Sequence, residues 1–120
     1  MTAVKYVYVA GPLSGPPEQY LAAVARMSAY SRYLIEKGVC PINPAGDLLE
    51  GLISTAALSG NSYKERSLDL LRLLAKRDDA EVHVLGTVRW DGSSATGVCV
   101  EVDEAWILGI PVRYVNWYGP

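Results

Sequence analysis

Glu101 ends the stretch Ser93-Ser94-Ala95-Thr96-Gly97-Val98-Cys99-Val100-Glu101, where a carboxylate follows a loop of small residues as an amphipathic helix should begin. A carboxylate in that position can serve as a nucleophile, and a helix N-terminus with hydroxyl donors beside it favours the ionised form. Acids also gather near helix N-termini simply because they complement the helix dipole, by roughly 0.3–1 kcal/mol when exposed, which would cover Asp103 and Glu104 as well. Position favours the chemical reading. The loop 86–96 lies at the carboxyl end of an apolar run, and in open α/β sheets the crevice outside the carboxyl ends of the strands is where ligands bind.

A second loop has the composition of a binding turn. Val7-Tyr8-Val9-Ala10-Gly11-Pro12-Leu13-Ser14-Gly15 places Gly11 at the end of the first strand, where a missing side chain lets a ligand approach the backbone. Pro12, Ser14 and Gly15 continue a turn that is neither a Walker loop nor the GxGxxG dinucleotide fingerprint. Two glycines, a hydroxyl and free amides can still cradle a sugar or a phosphate. Trp90-Asp91-Gly92-Ser93-Ser94 offers an aromatic face for a base and two hydroxyls just ahead of Glu101. Asp69 stands beside a leucine stripe on a helix and, taken alone, reads as a solvated helix acid. Asp78 and Asp79 read as turn formers.

The elements that must position these groups alternate. Residues 5–10 form the first predicted strand, and 17–37 a long helix with Leu21, Val24, Met27, Leu34 and Ile35 inward and Gly38 as its stop. Residues 39–42 make a short strand, 47–58 are weakly helical, and Asn61 can cap a helix over 62–76 carrying Leu68, Leu70, Leu71, Leu73 and Leu74. The run 80–85 is β-branched and ends at Gly86. Val98, Val102, Ala105, Trp106, Leu108 and Ile110 recur at helical spacing, with Gly109 and Pro111 as stop signals, and 112–115 is a last strand. This rhythm predicts a doubly wound parallel α/β sheet of four to five strands, Rossmann-like or flavodoxin-like, with helices on both faces.

The chain has 120 residues, 50% hydrophobic and 20% charged, with a net charge of −2, so 1–120 reads as one domain, small for an enzyme that must also enclose a substrate. A partner subunit completing the site is expected. The charge gives no field for gripping a polymeric nucleic acid. No stretch approaches the roughly 18 apolar residues of a membrane span, and residues 1–11 lack the pattern of a leader peptide. Cys40 and Cys99 fit a reduced, cytoplasmic protein, and the single His83, flanked by valines, gives no metal-ligand spacing. Neither a metal nor a cofactor is expected.

Tyr8-Val9-Ala10-Gly11-Pro12, then Pro41-Ile42-Asn43-Pro44-Ala45, a helix with Asp69, Trp90 with Ser93 and Ser94, and Gly97 through Glu101 to Ala105, Gly109 and Pro111 together resemble the nucleoside 2-deoxyribosyltransferase-like superfamily. The likeness covers almost the whole chain and is greatest to the small, often phage-borne branch related to 2′-deoxynucleoside 5′-phosphate N-hydrolases. No single piece is specific; their order and spacing together are.

The resemblance implies a flavodoxin-like domain that cleaves the N-glycosidic bond of a (deoxy)nucleoside or its 5′-monophosphate, releasing or exchanging the base. It puts the nucleophile on Glu101, four residues after Gly97 and four before Ala105. It also implies an acid at the departing base, matched by Asp69, and a tyrosine three residues before the first-loop glycine, matched by Tyr8. A serine that meets a phosphate matches Ser94 or Ser93 by a shift of one, since Ala95 holds the expected position. Relatives are homo-oligomers whose C-terminal residues reach the neighbouring site, which makes Asn116, Trp117 and Tyr118 candidates. The chemistry implied is a retaining displacement at the anomeric carbon, and Asp69 would have to hold a proton when the base departs, so a partly buried place is expected of it. Two other readings are compatible with the residues: a nucleotide-sensing module without turnover, marked by an Asp69 pointing into solvent, and an interaction subunit docking through its Trp117–Tyr118 tail.

Overall fold

The computed structural model describes residues 3–13, 16–46, 60–87 and 92–117. Its strands are β1 (Tyr6–Ala10), β2 (Cys40–Ile42), β3 (Ala80–Val84) and β4 (Val112–Tyr114), and its helices are α1 (Pro17–Glu36), α2 (Gly60–Leu74) and α3 (Thr96–Leu108). A short 3-10 turn, Pro44–Gly46, follows β2. The weakly helical 47–58 lies outside the described residues, as do Ser14, Gly15, Trp90, Asp91 and Tyr118.

All four strands pair in parallel in the order β2-β1-β3-β4. This is the doubly wound, flavodoxin-like sheet expected of the alternating elements. Strand alternation divides the core into two layers. Tyr8, Ala10, Val82 and Val84 face α2 and α3, where Leu68, Leu71, Leu74, Val98, Val102 and Ala105 meet them. Val7, Val9 and Leu85 face α1, against Met27, Tyr30 and Leu34.

The helical faces turn out narrower than the apolar residues suggested. Met27, Tyr30, Ser31 and Leu34 are the buried residues of α1, at spacings of three and four, while Leu21 and Ile35 are exposed. Ile35 follows Leu34 and is turned about 100° away from it. Ser31 joins the buried face by donating its hydroxyl to the Met27 carbonyl at 2.9 Å. On α3 Val98, Val102 and Ala105 are buried and Trp106 is 66% exposed. The predicted stops hold: Gly38 and Gly109 follow their helices with φ of +81° and +78°, the left-handed conformation that suits glycine. Among the described residues, no helix is long and apolar enough to cross a membrane.

Because α1 lies chiefly over β1 and β2, the same face of β3 and β4 carries a polar chain instead of a helix. Arg113 Nε donates to Glu81 Oε2 at 2.8 Å, His83 Nε2 meets Glu81 Oε1 at 3.1 Å, and His83 Nδ1 meets the Tyr30 hydroxyl at 2.6 Å. Burial pushes the Glu81 carboxyl up, but the hydrogen bonds from Arg113 and His83 outweigh it and hold the group below its ordinary range. Burial, then Tyr33 and Glu81, pushes the Tyr30 phenol up, so it remains a donor. With Glu81 accepting from Nε2–H, Nδ1 of a neutral imidazole takes the tyrosine proton in a hydrogen bond. Trp117 packs edge-on against Tyr30 with ring centroids 5.6 Å apart, fastening the C-terminal segment to its own α1.

Candidate active site

The two central strands run side by side as far as Leu85, whose N–H donates to the Ala10 carbonyl at 2.8 Å. Beyond that bond they part. β1 leads through Gly11 and Pro12 to α1 on one face, and β3 leads through Gly86 to α3 on the other, which opens a crevice at the carboxyl edge where the winding direction changes.

The loop after β3 returns to its origin, with the Ala95 N–H donating to the Thr87 carbonyl at 2.8 Å, so that α3 starts beside the first-strand loop. The N-cap is Ala95, which has no capping side chain, and the first helical bond runs from the Cys99 N–H to the Ala95 carbonyl at 3.1 Å. The amides of Thr96, Gly97 and Val98 therefore stand ahead of that bond and form the positive end of the helix.

Glu101 lies in the second turn of α3, one turn deeper than the sequence suggested. Helical side chains lean toward the N-terminus over the preceding turn, which carries the carboxylate of Glu101 back toward Gly97, four residues earlier. A Cβ on Gly97 would meet nothing within 4 Å, so the way is open. Glu101 is half-buried, with Oε2 withdrawn from solvent.

A cavity of about 140 Å³ forms where these pieces meet: Gly11, Pro12 and Leu13 on one side, Ala95, Thr96, Gly97 and Val98 on the other, and Glu101 at its wall. Glu101 is the only ionisable side chain among those lining residues. At about 30 Å³ per water the space takes four or five waters, the scale of a sugar ring and below the roughly 300–1,000 Å³ of a complete ligand pocket.

Of the residues singled out from the sequence, Gly11, Pro12, Gly97 and Glu101 come together here. Gly11 has a different reason than expected. A Cβ on it would come within 3.0 Å of Met27 Sδ and 3.3 Å of Cγ, so the missing side chain makes room for α1 rather than only for a ligand. Ser93 and Ser94 are exposed ahead of α3 and do not line the cavity; the hydroxyl-bearing residue at its wall is Thr96, which sequence reasoning passed over in favour of the serines. Tyr8 is fully buried in the layer beneath α2 and α3, its hydroxyl withdrawn from solvent, and is not a lining residue.

Asp69 is not brought to the cavity. Its side chain is 71% exposed and pairs with Arg72 at 2.9 Å, and Arg72 reaches Glu104 of α3 at 3.3 Å. One residue past Leu68, it sits on the flank of α2 rather than on the stripe, so the partly buried place expected of it is not found. Asn116 lines a second cavity, together with Arg26, on the other side of Gly86. Arg26 was missed because a lone cation on a long helix carries no sequence signal; only the return of β3 beside α1 gives it a site. Glu81 and His83 could have been noticed as two polar residues spaced by two within an apolar strand, which places them on one face.

Among the described residues there is no cluster of three or more His, Cys, Asp or Glu side chains that could hold a metal ion. Compared with known proteins, the chain matches no family model and no curated sequence.

Proposed function

We propose that this protein cleaves the N-glycosidic bond of a (deoxy)nucleoside or (deoxy)nucleoside 5′-monophosphate, with Glu101 as the nucleophile. The observation that carries the reading is the carboxylate of Glu101 at the wall of a sugar-sized cavity, beside the N-terminus of a helix and at the switch point of the sheet. The likeness of the Tyr8–Pro12 and Gly97–Ala105 segments to the deoxyribosyltransferase-like superfamily supports the same assignment.

In this mechanism a Glu101 oxygen attacks the anomeric carbon as the bond to the base nitrogen breaks, through an oxocarbenium-like transition state. The base leaves with the bonding electron pair and takes a proton. Water then hydrolyses the glycosyl ester, releasing the sugar with retained configuration and restoring the carboxylate; a second base in place of water gives exchange. Asp69 has no part in the step, and the proton for the departing base comes from water. A second copy of the chain enlarges the small cavity into a full pocket.

One observation favours a second reading. An Asp69 paired with Arg72 in solvent is what a nucleotide-sensing module without turnover would show. Incubating the protein and Glu101→Gln with deoxynucleosides and their 5′-monophosphates, with and without an acceptor base, and measuring free base by chromatography separates the two. Base release that falls roughly 10³-fold or more in Glu101→Gln is expected. Binding without release would establish the sensing module, and full activity in Glu101→Gln would end the nucleophile assignment.

A further inference from the structure

The second cavity, of about 230 Å³, lies between α1 and the ends of β3 and β4. Its polar side chains are Arg26, Thr87, Tyr114 and Asn116, each able to donate a hydrogen bond, and no carboxylate is among its lining residues. Arg32, Arg72, Arg77 and Arg113 each pair with an acid. Arg26, among the described residues, does not, although its guanidinium stands at the carboxyl edge of the sheet.

The walls are held by their own bonds. Val115 donates its N–H to the Val84 carbonyl at 2.9 Å, and Trp117 is packed on Tyr30, so Asn116 sits between two anchored neighbours. Thr87 is fixed through its carbonyl by Ala95.

Gly86 connects this cavity with the first. The point where its Cβ would stand lies 3.6 Å from Pro12 Cδ, in the wall of the Glu101 cavity, and 3.8 Å from Arg26 Nη1. Both groups are within 4 Å of one point on the bare backbone of Gly86, so the two cavities lie side by side at the carboxyl edge of the sheet.

We propose that the second cavity is an anion subsite that takes the phosphate monoester of the nucleotide whose sugar lies at Glu101. Arg26 is its charged contact, and Thr87 and Asn116 complete the donor set. The identity of the ligand bearing the phosphate rests on the function proposed above; the subsite itself rests on the lining and on Arg26. A guanidinium offers two parallel N–H groups to a phosphate, a geometry that lysine lacks.

Two measurements on the full chain test this. In the first, inorganic phosphate is titrated into the protein and into Arg26→Ala and Arg26→Lys, with backbone amide shifts followed by NMR. Saturable shifts at Gly86, Thr87 and Asn116 are expected, with affinity falling roughly tenfold to hundredfold in Arg26→Ala and less in Arg26→Lys. In the second, base release is compared for a deoxynucleoside and its 5′-monophosphate, and Arg26→Ala is expected to lower kcat/KM tenfold to hundredfold more for the monophosphate. Phosphate binding at these residues with no turnover of either compound would sink the proposed function and leave the anion subsite standing. Equal losses on the two substrates, or phosphate shifts that Arg26→Ala does not weaken, would overturn the subsite; phosphate binding that the nucleotide fails to displace would overturn its assignment to a nucleotide.

Discussion

Replacing Gly97 with alanine separates occupancy of the cavity from stability of the fold. Gly97 is the second residue of α3, its φ is not positive, and a Cβ built on it meets nothing within 4 Å. The methyl group therefore costs no packing, and removing a glycine from a helix gains up to about 1 kcal/mol. In a chain of this size that raises Tm by roughly 2–5 °C.

Gly97 also lines the cavity, and a methyl group of about 30 Å³, the size of a water, is about a fifth of its 140 Å³. Base release measured by chromatography, or ligand affinity measured by calorimetry if there is no turnover, should drop at least about tenfold while Tm by scanning calorimetry rises; a shift of 1 Å in reacting groups is enough for losses of about 10²-fold. Raised Tm with unchanged activity would show that the ligand does not use this cavity. A lowered Tm would refute the claim of open space over Gly97 itself.

Gly11→Ala has the opposite sign: its Cβ would stand 3.0 Å from Met27 Sδ, so a loss of about 1–3 kcal/mol from overpacking is expected in urea unfolding, and it should nearly vanish in a Met27→Ala background. An equal loss in both backgrounds would show that Met27 is not the cause. Asp69→Asn should keep base release within about twofold of the parent, since the side chain is 71% exposed and pairs with Arg72; a fall of two orders of magnitude would restore its role as the acid at the leaving base. Glu81 sets a pH dependence. Its folded-state carboxyl titrates below the unfolded value of about 4.3, so its stabilisation is present above that pH and disappears as pH falls through the lower folded value. The urea midpoint of Glu81→Gln should accordingly fall short of the parent at pH 7 and converge with it in acid, whereas a gap that stays constant with pH would remove the ion from the account.

The strands and helices were legible because their signals are local. An unbroken run such as Ala80–Val84, with Gly86 to follow, has few competing readings, and Gly38 and Gly109 stop their helices through a backbone conformation that glycine adopts without cost. The helix that carries Glu101 was legible in the same way, from the spacing of Val98, Val102 and Ala105, although Glu101 falls one turn deeper in it than that pattern suggested. The fine phase of α1 was lost because apolar residues such as Leu21 and Ile35 were counted on the inner face when Tyr30 and Ser31 occupy it. Asp69 was carried toward the site by the resemblance alone; one residue past the buried Leu68 it is turned about 100° away from the core, the solvated helix acid that its own neighbourhood implies. Arg26 and Gly11 depend on how α1 returns beside β1 and β3, and that tertiary placement has no counterpart in residue spacing.

Glu81 and Glu101 show why position along the sheet, and not burial, decides which acid does chemistry. Glu81 is among the buried residues and Glu101 is half-buried, on opposite faces of the sheet. Glu81 lies within β3, where Arg113 and His83 each hold one of its oxygens and fix the carboxylate along the strand. Its hydrogen bonds fasten the uncovered side of β3 and β4. Glu101 stands past the strand ends, where the parting of β1 and β3 leaves a cavity that no side chain fills. The same carboxylate chemistry is thus directed to structure in the middle of the strand and to a substrate at its carboxyl edge. If Glu81→Gln lowers stability but not base release while Glu101→Gln does the reverse, that division is correct; if either variant loses both, the two faces of the sheet are coupled and the roles cannot be assigned by position.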